Sequence, residues 1–195
     1  KIGRQNLNDD ICSALEQIAG YLDEYQVDVM IVAGDILETT SRIQEMKRAV
    51  SDIRRIFSPF LERGGTIICI SGNHDNEVFF ETLRDALALV GPSKSRTDKL
   101  NSTGRLYVAP NARILRLPDP NGNMTQFVLM PYPTSRAYIT EKNARFESVE
   151  EKHRAIQQAF KNRLNYLEGK IDVSIPAVLV SHIHVRGIQP HALYR

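Results

Sequence analysis

Side chains that commonly bind metals follow three apolar runs of the sequence. The string Gly-Asn-His-Asp at 72–75 comes directly after the apolar run 66–71, so it places an amide oxygen, an imidazole and a carboxylate at one strand end. Asp35 and His182 each come shortly after a further apolar run, at 29–33 and at 177–181 respectively, and both runs are predicted strands. In open α/β sheets, ligands and active sites gather at the carboxyl ends of the strands. The sequence therefore predicts that these side chains meet at one sheet edge.

These residue types suit a metal-dependent hydrolytic site. Such a site needs a bridging carboxylate with oxygen and imidazole donors, and two cations about 3.5–4 Å apart polarise a phosphoryl oxygen and activate a shared water. We expect Asp35 to be the bridge, Asn73 to supply an amide oxygen and His182 an imidazole nitrogen. His74 could protonate a leaving alkoxide or stabilise phosphoryl charge, and Asp75 could hold an imidazole in orientation. Mixed oxygen and imidazole donors suit Mn, Fe or Zn better than Ca.

Each part of this pattern also has an ordinary structural interpretation. A Gly-Asp pair after a strand commonly forms a turn or a helix cap, and Asn and Asp favour turns in general. His182 and His184 are two residues apart, so they share a face of a regular strand but diverge if the strand ends at Ser181. One or both could bind a metal. The conjunction of three strand ends with suitable ligands favours the functional interpretation.

The first ninety residues alternate between helical and strand patterns. Apolar residues at helical spacing, capping residues and short branched runs mark each element. The predicted order is a helix capped within 8–10, a strand at 28–33, a helix from a cap at 39–41 to a stop at 64–65, a strand at 66–71 and a helix at 77–90. This alternation predicts parallel strands covered by helices.

The second half of the chain shows short strand patterns separated by turn residues. Short strands with Pro, Asn and Gly turns between them are expected at 105–108, 113–117 and 126–130, the last two as an antiparallel pair. Ser148 and Glu151 have the spacing of a capping box, which predicts a helix from Ser148 to Leu167. The fold class expected is an α/β (α+β) sandwich of two mixed β-sheets flanked by helices.

Length and composition are those of one ordinary globular domain. The chain has 195 residues, of which 42% are hydrophobic and 25% charged, and no apolar run approaches the length of a membrane span. Cys12 and Cys69 fall in predicted core positions, which fits a reducing compartment and hence the cytoplasm. The net charge of +2 neither demands nor excludes nucleic acid as a partner.

The ordered motifs resemble a known family. Gly34-Asp35, the string at 72–75 and a histidine after an apolar strand are similar to the calcineurin-like metallophosphoesterase superfamily. Within it the chain most resembles the SbcD-type bacterial DNA-repair nucleases, through the segment 130–133 (Met-Pro-Tyr-Pro) and the segment 185–187 (Val-Arg-Gly). The resemblance runs through almost the whole chain, so residues 1–195 are expected to form one such domain.

The resemblance implies specific roles. Asp35 would bridge two metals, Asn73 and His182 would bind the second metal, and His74 would be the catalytic histidine. It further implies manganese as the metal and DNA phosphodiesters as the substrate. It also implies a homodimer that works with an SMC-like ATPase subunit of the SbcC type.

Two motifs of that family are missing from the sequence. The family opens with Asp-x-His before a Leu/Ile-Gly pair; Ile2-Gly3 resembles this pair, and Lys1 occupies the place of the histidine. Its final Gly-His-x-His motif is only superficially similar to residues 181–184. We therefore expect a domain truncated at both ends that binds at most one metal well, has little or no nuclease activity and exposes a strand edge.

Two other functions remain open at this stage. The chain could be a phosphatase or a cyclic-nucleotide phosphodiesterase of the same superfamily. It could also be a non-catalytic scaffold that binds a partner or DNA, for which Lys1 in the place of the histidine is the best argument.

Overall fold

Two three-stranded sheets pack face to face between helices. The structure is a computed structural model, and it describes residues 7–36, 42–89, 105–119, 121–139 and 144–184. The elements in chain order are α1 (Leu7–Glu24), β1 (Val29–Ala33), α2 (Ile43–Glu62), β2 (Thr66–Ile70), α3 (Glu77–Leu89), β3 (Leu106–Ala109), β4 (Arg113–Pro118), β5 (Met124–Met130), α4 (Ser135–Tyr138), α5 (Val149–Glu168) and β6 (Ala177–Ser181).

The strand order brings three strand ends to one edge. The first sheet has the order β1-β2-β3 and is parallel throughout. The second sheet has the order β4-β5-β6, with β4 antiparallel and β6 parallel to β5. A backbone hydrogen bond of 2.9 Å from Tyr132 N to Ser71 O joins the residues that follow β5 and β2. The carboxyl ends of β1, β2, β5 and β6 therefore lie together.

The core is divided into three apolar layers. One layer lies between the first sheet and helices α1, α2 and α3, and includes Phe57, Phe60 and Phe80. The second lies between the two sheets, and the third between the second sheet and helices α4 and α5. This helix–sheet–sheet–helix order confirms the predicted fold class of two β-sheets flanked by helices. Of the described helices, none is both long and apolar enough to cross a membrane.

Some predicted apolar faces are wrong in detail. The helical spacing of apolar residues in α1 includes Ile11 and Ile18, but 49% and 42% of their surface is exposed. Ile43 at the start of α2 is 76% exposed, and Ile31 in β1 is 39% exposed because β1 is one of the two edge strands among the described strands of its sheet. Periodicity identifies apolar positions on an element, but it does not say which of them another element covers.

Helix ends also differ from the sequence prediction. Helix α1 begins at Leu7, so the expected capping residues at 8–10 lie within its first turn. The expected cap at 39–41 lies outside the described residues, and Arg42 precedes α2 with its backbone nitrogen 2.8 Å from Glu45 Oε2. Pro59 lies within the last turn of α2, and the helix continues to Glu62. Ser148 caps α5 as predicted, accepting a 3.0 Å hydrogen bond from Glu151 N.

Candidate metal centre

The chain turns sharply where β1 ends. Gly34 and Asp35 have φ angles of 100° and 59°, both in the left-handed region. A Cβ on Gly34 would lie 2.5 Å from His182 Nδ1 and 2.7 Å from Gly72 Cα. Glycine at 34 is therefore what lets the ends of β1, β2 and β6 approach one another. The Gly-Asp pair is a turn and also the place where a carboxylate enters the site.

Asp75 ties the ends of β1 and β2 together. The residue is 4% exposed, and its Oδ2 accepts hydrogen bonds from Asp35 N at 2.8 Å and Gly72 N at 2.7 Å. Both bonds are charge-assisted, so they are stronger than bonds to a neutral acceptor. Asp75 thus fixes the backbone on which Asp35 is carried. The role expected from the sequence, orientation of an imidazole, stays a prediction.

The two oxygens of Asp35 have different partners. Oδ1 accepts a hydrogen bond of 2.9 Å from the backbone nitrogen of His74, which fixes the rotation of the carboxylate. Oδ2 faces His182 and lies 3.3 Å from its Nε2. One oxygen therefore holds the loop after β2, while the other points at the imidazole delivered by β6.

The tautomer of His182 follows from its surroundings. Its Nδ1 lies 2.6 Å from the carbonyl oxygen of Ala33, and because a carbonyl can only accept, Nδ1 carries the proton. In the neutral ring Nε2 then presents a lone pair. That atom lies 2.8 Å from Asn73 Oδ1.

Three electron-pair donors consequently face one another: Asp35 Oδ2, Asn73 Oδ1 and His182 Nε2. Lone pairs at 2.8–3.3 Å repel unless a cation lies among them, the imidazole carries a second proton, or the Asn73 amide is turned so that its NH2 group faces Nε2. This donor set fits one divalent ion that accepts both oxygen and imidazole, such as Mn, Fe or Zn. In the described parts of the chain no group of three His, Cys, Asp or Glu side chains is arranged to hold a metal, so the amide of Asn73 is needed to complete the set.

The other histidines among the described residues are placed differently. His74 is exposed next to the donor set, and its backbone nitrogen donates a hydrogen bond to Asp35 Oδ1. His184 is exposed beyond the end of β6, and His153 is exposed on α5. Of the two described histidines that follow β6, His182 is the one whose ring lies beside Asp35 and Asn73.

Sequence reasoning missed Tyr132 as a member of the site. Its ring lies edge-on to His182, with centroids 6.0 Å apart and planes at 74°. Thr134 Oγ1 donates to Glu77 Oε1, and Arg136 pairs with Glu81 at 2.5 Å, so the segment that follows Tyr132 is fastened to α3. The available signal was that Tyr132 follows a strand, as the ligands do.

Two pKa shifts describe the surroundings of the site. Burial, with a smaller contribution from the charge of Asp75, raises the pKa of the Cys69 thiol to about 12. The hydrogen bond from Arg136 lowers the pKa of Glu81. Cys69 is therefore a neutral core residue, whereas Glu81 is an ionised partner on the surface.

A sequence model of the family described as calcineurin-like phosphoesterase matches residues 6–186. The matched range contains Asp35, the string at 72–75 and His182. A search of curated proteins gives no match.

Proposed function

The chain belongs to the calcineurin-like phosphoesterase family, and from this premise we propose that it is a metal-dependent DNA phosphodiesterase, the nuclease subunit of a DNA-repair complex. Phosphoester hydrolysis with divalent metals is the general chemistry of that family. The observation that carries the proposal is the convergence of Asp35, Asn73 and His182 from the ends of β1, β2 and β6.

Each residue has a definite part in this proposal. Asp35, Asn73 and His182 would hold a divalent cation, for which we propose Mn²⁺, and with further donors the carboxylate of Asp35 would also serve a second cation. When bound, the cations polarise the phosphoryl group and supply an activated water. His74, exposed beside the donor set, protonates the leaving oxygen or stabilises phosphoryl charge. Asp75 keeps Asp35 in place through the backbone.

Two features support DNA as the substrate. In the part of the chain that the structure describes, Asn73 and His74 are both exposed, so these two side chains are accessible to a polymer backbone. The segments around Tyr132 and after His182 resemble the SbcD-type nucleases. By the same resemblance we propose a homodimer that works with an SMC-like ATPase subunit. Free Cys12 and Cys69 are consistent with the cytoplasm as its compartment.

The test is Mn²⁺-dependent hydrolysis of linear double-stranded DNA, followed alongside hydrolysis of bis(p-nitrophenyl) phosphate. This chain is compared with a longer chain that adds an Asp-x-His segment before Ile2 and a Gly-His-x-His segment after Arg195. His74→Ala is made in the longer chain, with His153→Ala on the exposed face of α5 as the matched control.

The proposal expects DNA cleavage by the longer chain and by its His153→Ala variant, and none by His74→Ala. Hydrolysis of the small diester with DNA left intact would point instead to a phosphatase or cyclic-nucleotide phosphodiesterase. No hydrolysis of either substrate, with DNA still bound, would point to a non-catalytic scaffold.

A further inference from the structure

Helix α1 carries an apolar stripe that the rest of the described structure leaves exposed. Its members recur at alternating spacings of three and four residues, as the a and d positions of a coiled coil do. The α1 stripe consists of Ile11, Ala14, Ile18 and Tyr21 in the helix, and of Tyr25, which follows the helix end with its backbone nitrogen 3.0 Å from Tyr21 O. The exposed fractions of its four large members are 49%, 42%, 56% and 69% in chain order, and the two tyrosine rings lie 6.2 Å apart.

The α1 stripe is separate from the face that attaches α1 to the domain. Leu15, Ala19 and Leu22 pack into the core cluster that α1 shares with α2. Single exposed apolar residues are ordinary on protein surfaces. An aligned row of them over four helical turns, about 21 Å long, is instead typical of an interaction surface.

The charges of α1 narrow the choice of partner. Residues 7–24 contain five acidic residues and no Lys, Arg or His. Glu16 and Asp23 pair with Arg55 and Arg63, whereas the exposed Asp10 and Glu24 lie along one border of the α1 stripe. In a coiled coil these border positions face charged residues of the partner helix and decide which partner is accepted.

In an antiparallel pair, a second copy of α1 would set its acidic border against the same acidic border. In a parallel pair the acidic border would have to face the border that carries Leu15 and Leu22, which is already packed into the core. Like charges disfavour the antiparallel pair, while Lys or Arg would complement the acidic border. We propose that the α1 stripe docks a basic amphipathic helix of a partner protein, with apolar residues at heptad spacing and Lys or Arg on the flanks. This inference goes beyond the proposed hydrolysis, since no member of the stripe belongs to the metal centre.

The test measures binding of a synthetic helical peptide to the whole chain by fluorescence anisotropy. The peptide has about three heptads, with Leu at a and d and Lys at e and g, and a second peptide carries Glu in place of Lys. We expect the Lys peptide to bind and the Glu peptide to bind at least about tenfold more weakly. Ile18→Lys and Tyr21→Lys should each weaken binding of the Lys peptide at least about tenfold.

Val149→Lys is the matched control, because Val149 is 64% exposed on another helix, and it should leave binding unchanged. A charge-reversed chain, Asp10→Lys with Glu24→Lys, should prefer the Glu peptide. Circular dichroism and thermal melting establish that every variant is folded. Equal binding of the two peptides, or unchanged binding by Ile18→Lys, would overturn the proposal.

The oligomeric state tests independently whether a second copy of this chain, and not a partner protein, covers the α1 stripe. Light scattering is measured on the wild-type chain and on Ile18→Lys. A dimer in the wild type that Ile18→Lys converts to a monomer would show that a second copy covers the α1 stripe, and the proposal would fail. An oligomeric state that is the same in both, together with selective binding of the Lys peptide, supports it.

Discussion

Gly72 has no room for a side chain, because a Cβ there would lie 2.2 Å from Asp35 Oδ1 and 2.5 Å from Asp35 N. We predict that Gly72→Ala displaces the Asp35 carboxylate and weakens Mn²⁺ binding at least about tenfold. Because the crowding is against backbone as well as side chain, it should also lower the free energy of unfolding by about 1–3 kcal/mol. Titration calorimetry and urea unfolding measure the two effects.

Gly20→Ala is the control for this prediction. A Cβ on Gly20 meets nothing within 4 Å, and the residue lies within α1. The substitution should leave Mn²⁺ affinity unchanged and raise the free energy of unfolding by up to about 1 kcal/mol, because alanine favours the helix. If Gly72→Ala bound Mn²⁺ as the wild type does, the proposed part of Asp35 would be wrong.

The two thiols should react very differently. Since the pKa of Cys69 is raised to about 12, its thiol stays protonated at pH 8, and the residue is buried. The thiolate is the reactive form, so we predict that Cys69 resists a thiol reagent such as Ellman's reagent until the chain unfolds. Cys12, which is partly exposed, should react in the folded state. Release of two equivalents of thionitrobenzoate by the folded protein would contradict this.

At the scale of single residues, the sequence indicated which side chains would gather but only part of how they are held. Asp35, Asn73 and His182 were found from residue type and position after apolar runs. The two hydrogen bonds of Asp75 could not be predicted, because one of them reaches the backbone of a residue 40 positions away. Such a contact exists only after β1 and β2 have paired.

At the scale of elements, Gln126 fastens the connection from α5 to β6. Its side chain is fully buried; Nε2 donates to Asp172 O at 2.6 Å and to Ile175 O at 3.2 Å, and Oε1 accepts from Asp172 N at 3.1 Å. We predict that Gln126→Leu lowers the free energy of unfolding by about 2–4 kcal/mol, because it leaves buried backbone groups unpaired. Urea unfolding measures this loss.

Gln157→Leu on the exposed face of α5 is the matched substitution, and it should change stability by less than about 0.5 kcal/mol. Similar midpoints of urea unfolding for Gln126→Leu and Gln157→Leu would show that the buried amide of Gln126 does not stabilise the connection between α5 and β6. Since this connection leads into β6, losing the hydrogen bonds of Gln126 should also make the position of the His182 ring less well defined.

Periodic segments of the sequence predicted most elements and their bounds well. Which apolar residues are buried depends on contacts between elements, and the sequence pattern did not predict this. The bounds of β6 were predicted as observed, and helix α5 was predicted to within one residue at each end. Helix α4 has four residues, too few to show a periodic pattern. The exposed Ile11 and Ile43 show that an apolar position can face away from the core.

At the scale of the whole molecule, the sequence indicated both sheets but not their assembly. The parallel first sheet followed from the alternation of helix and strand, and the pairing of β4 with β5 followed from the turn between them. That β6 would lie parallel to β5 could not be predicted, because this pairing spans some fifty residues of chain and no local pattern encodes it.

The same pairing makes metal binding a property of the folded molecule. The three donors come from the ends of three strands in two sheets, so an unfolded chain presents no such site. We predict that Mn²⁺ binds at one ion per chain and, at one hundred times its dissociation constant, adds about 2.7 kcal/mol to the free energy of unfolding. Titration calorimetry gives the stoichiometry, and thermal unfolding with and without Mn²⁺ gives the stabilisation.

His182→Ala should remove the stabilisation by Mn²⁺, whereas His184→Ala should retain it, since of these two described histidines His182 is the one beside Asp35 and Asn73. The two substitutions remove the same kind of side chain at positions two residues apart. Any difference between the variants therefore depends on where the imidazole ring lies. Loss of stabilisation in His184→Ala alone would assign the ligand to the other histidine. Two ions bound with similar affinity would require donors in addition to these three.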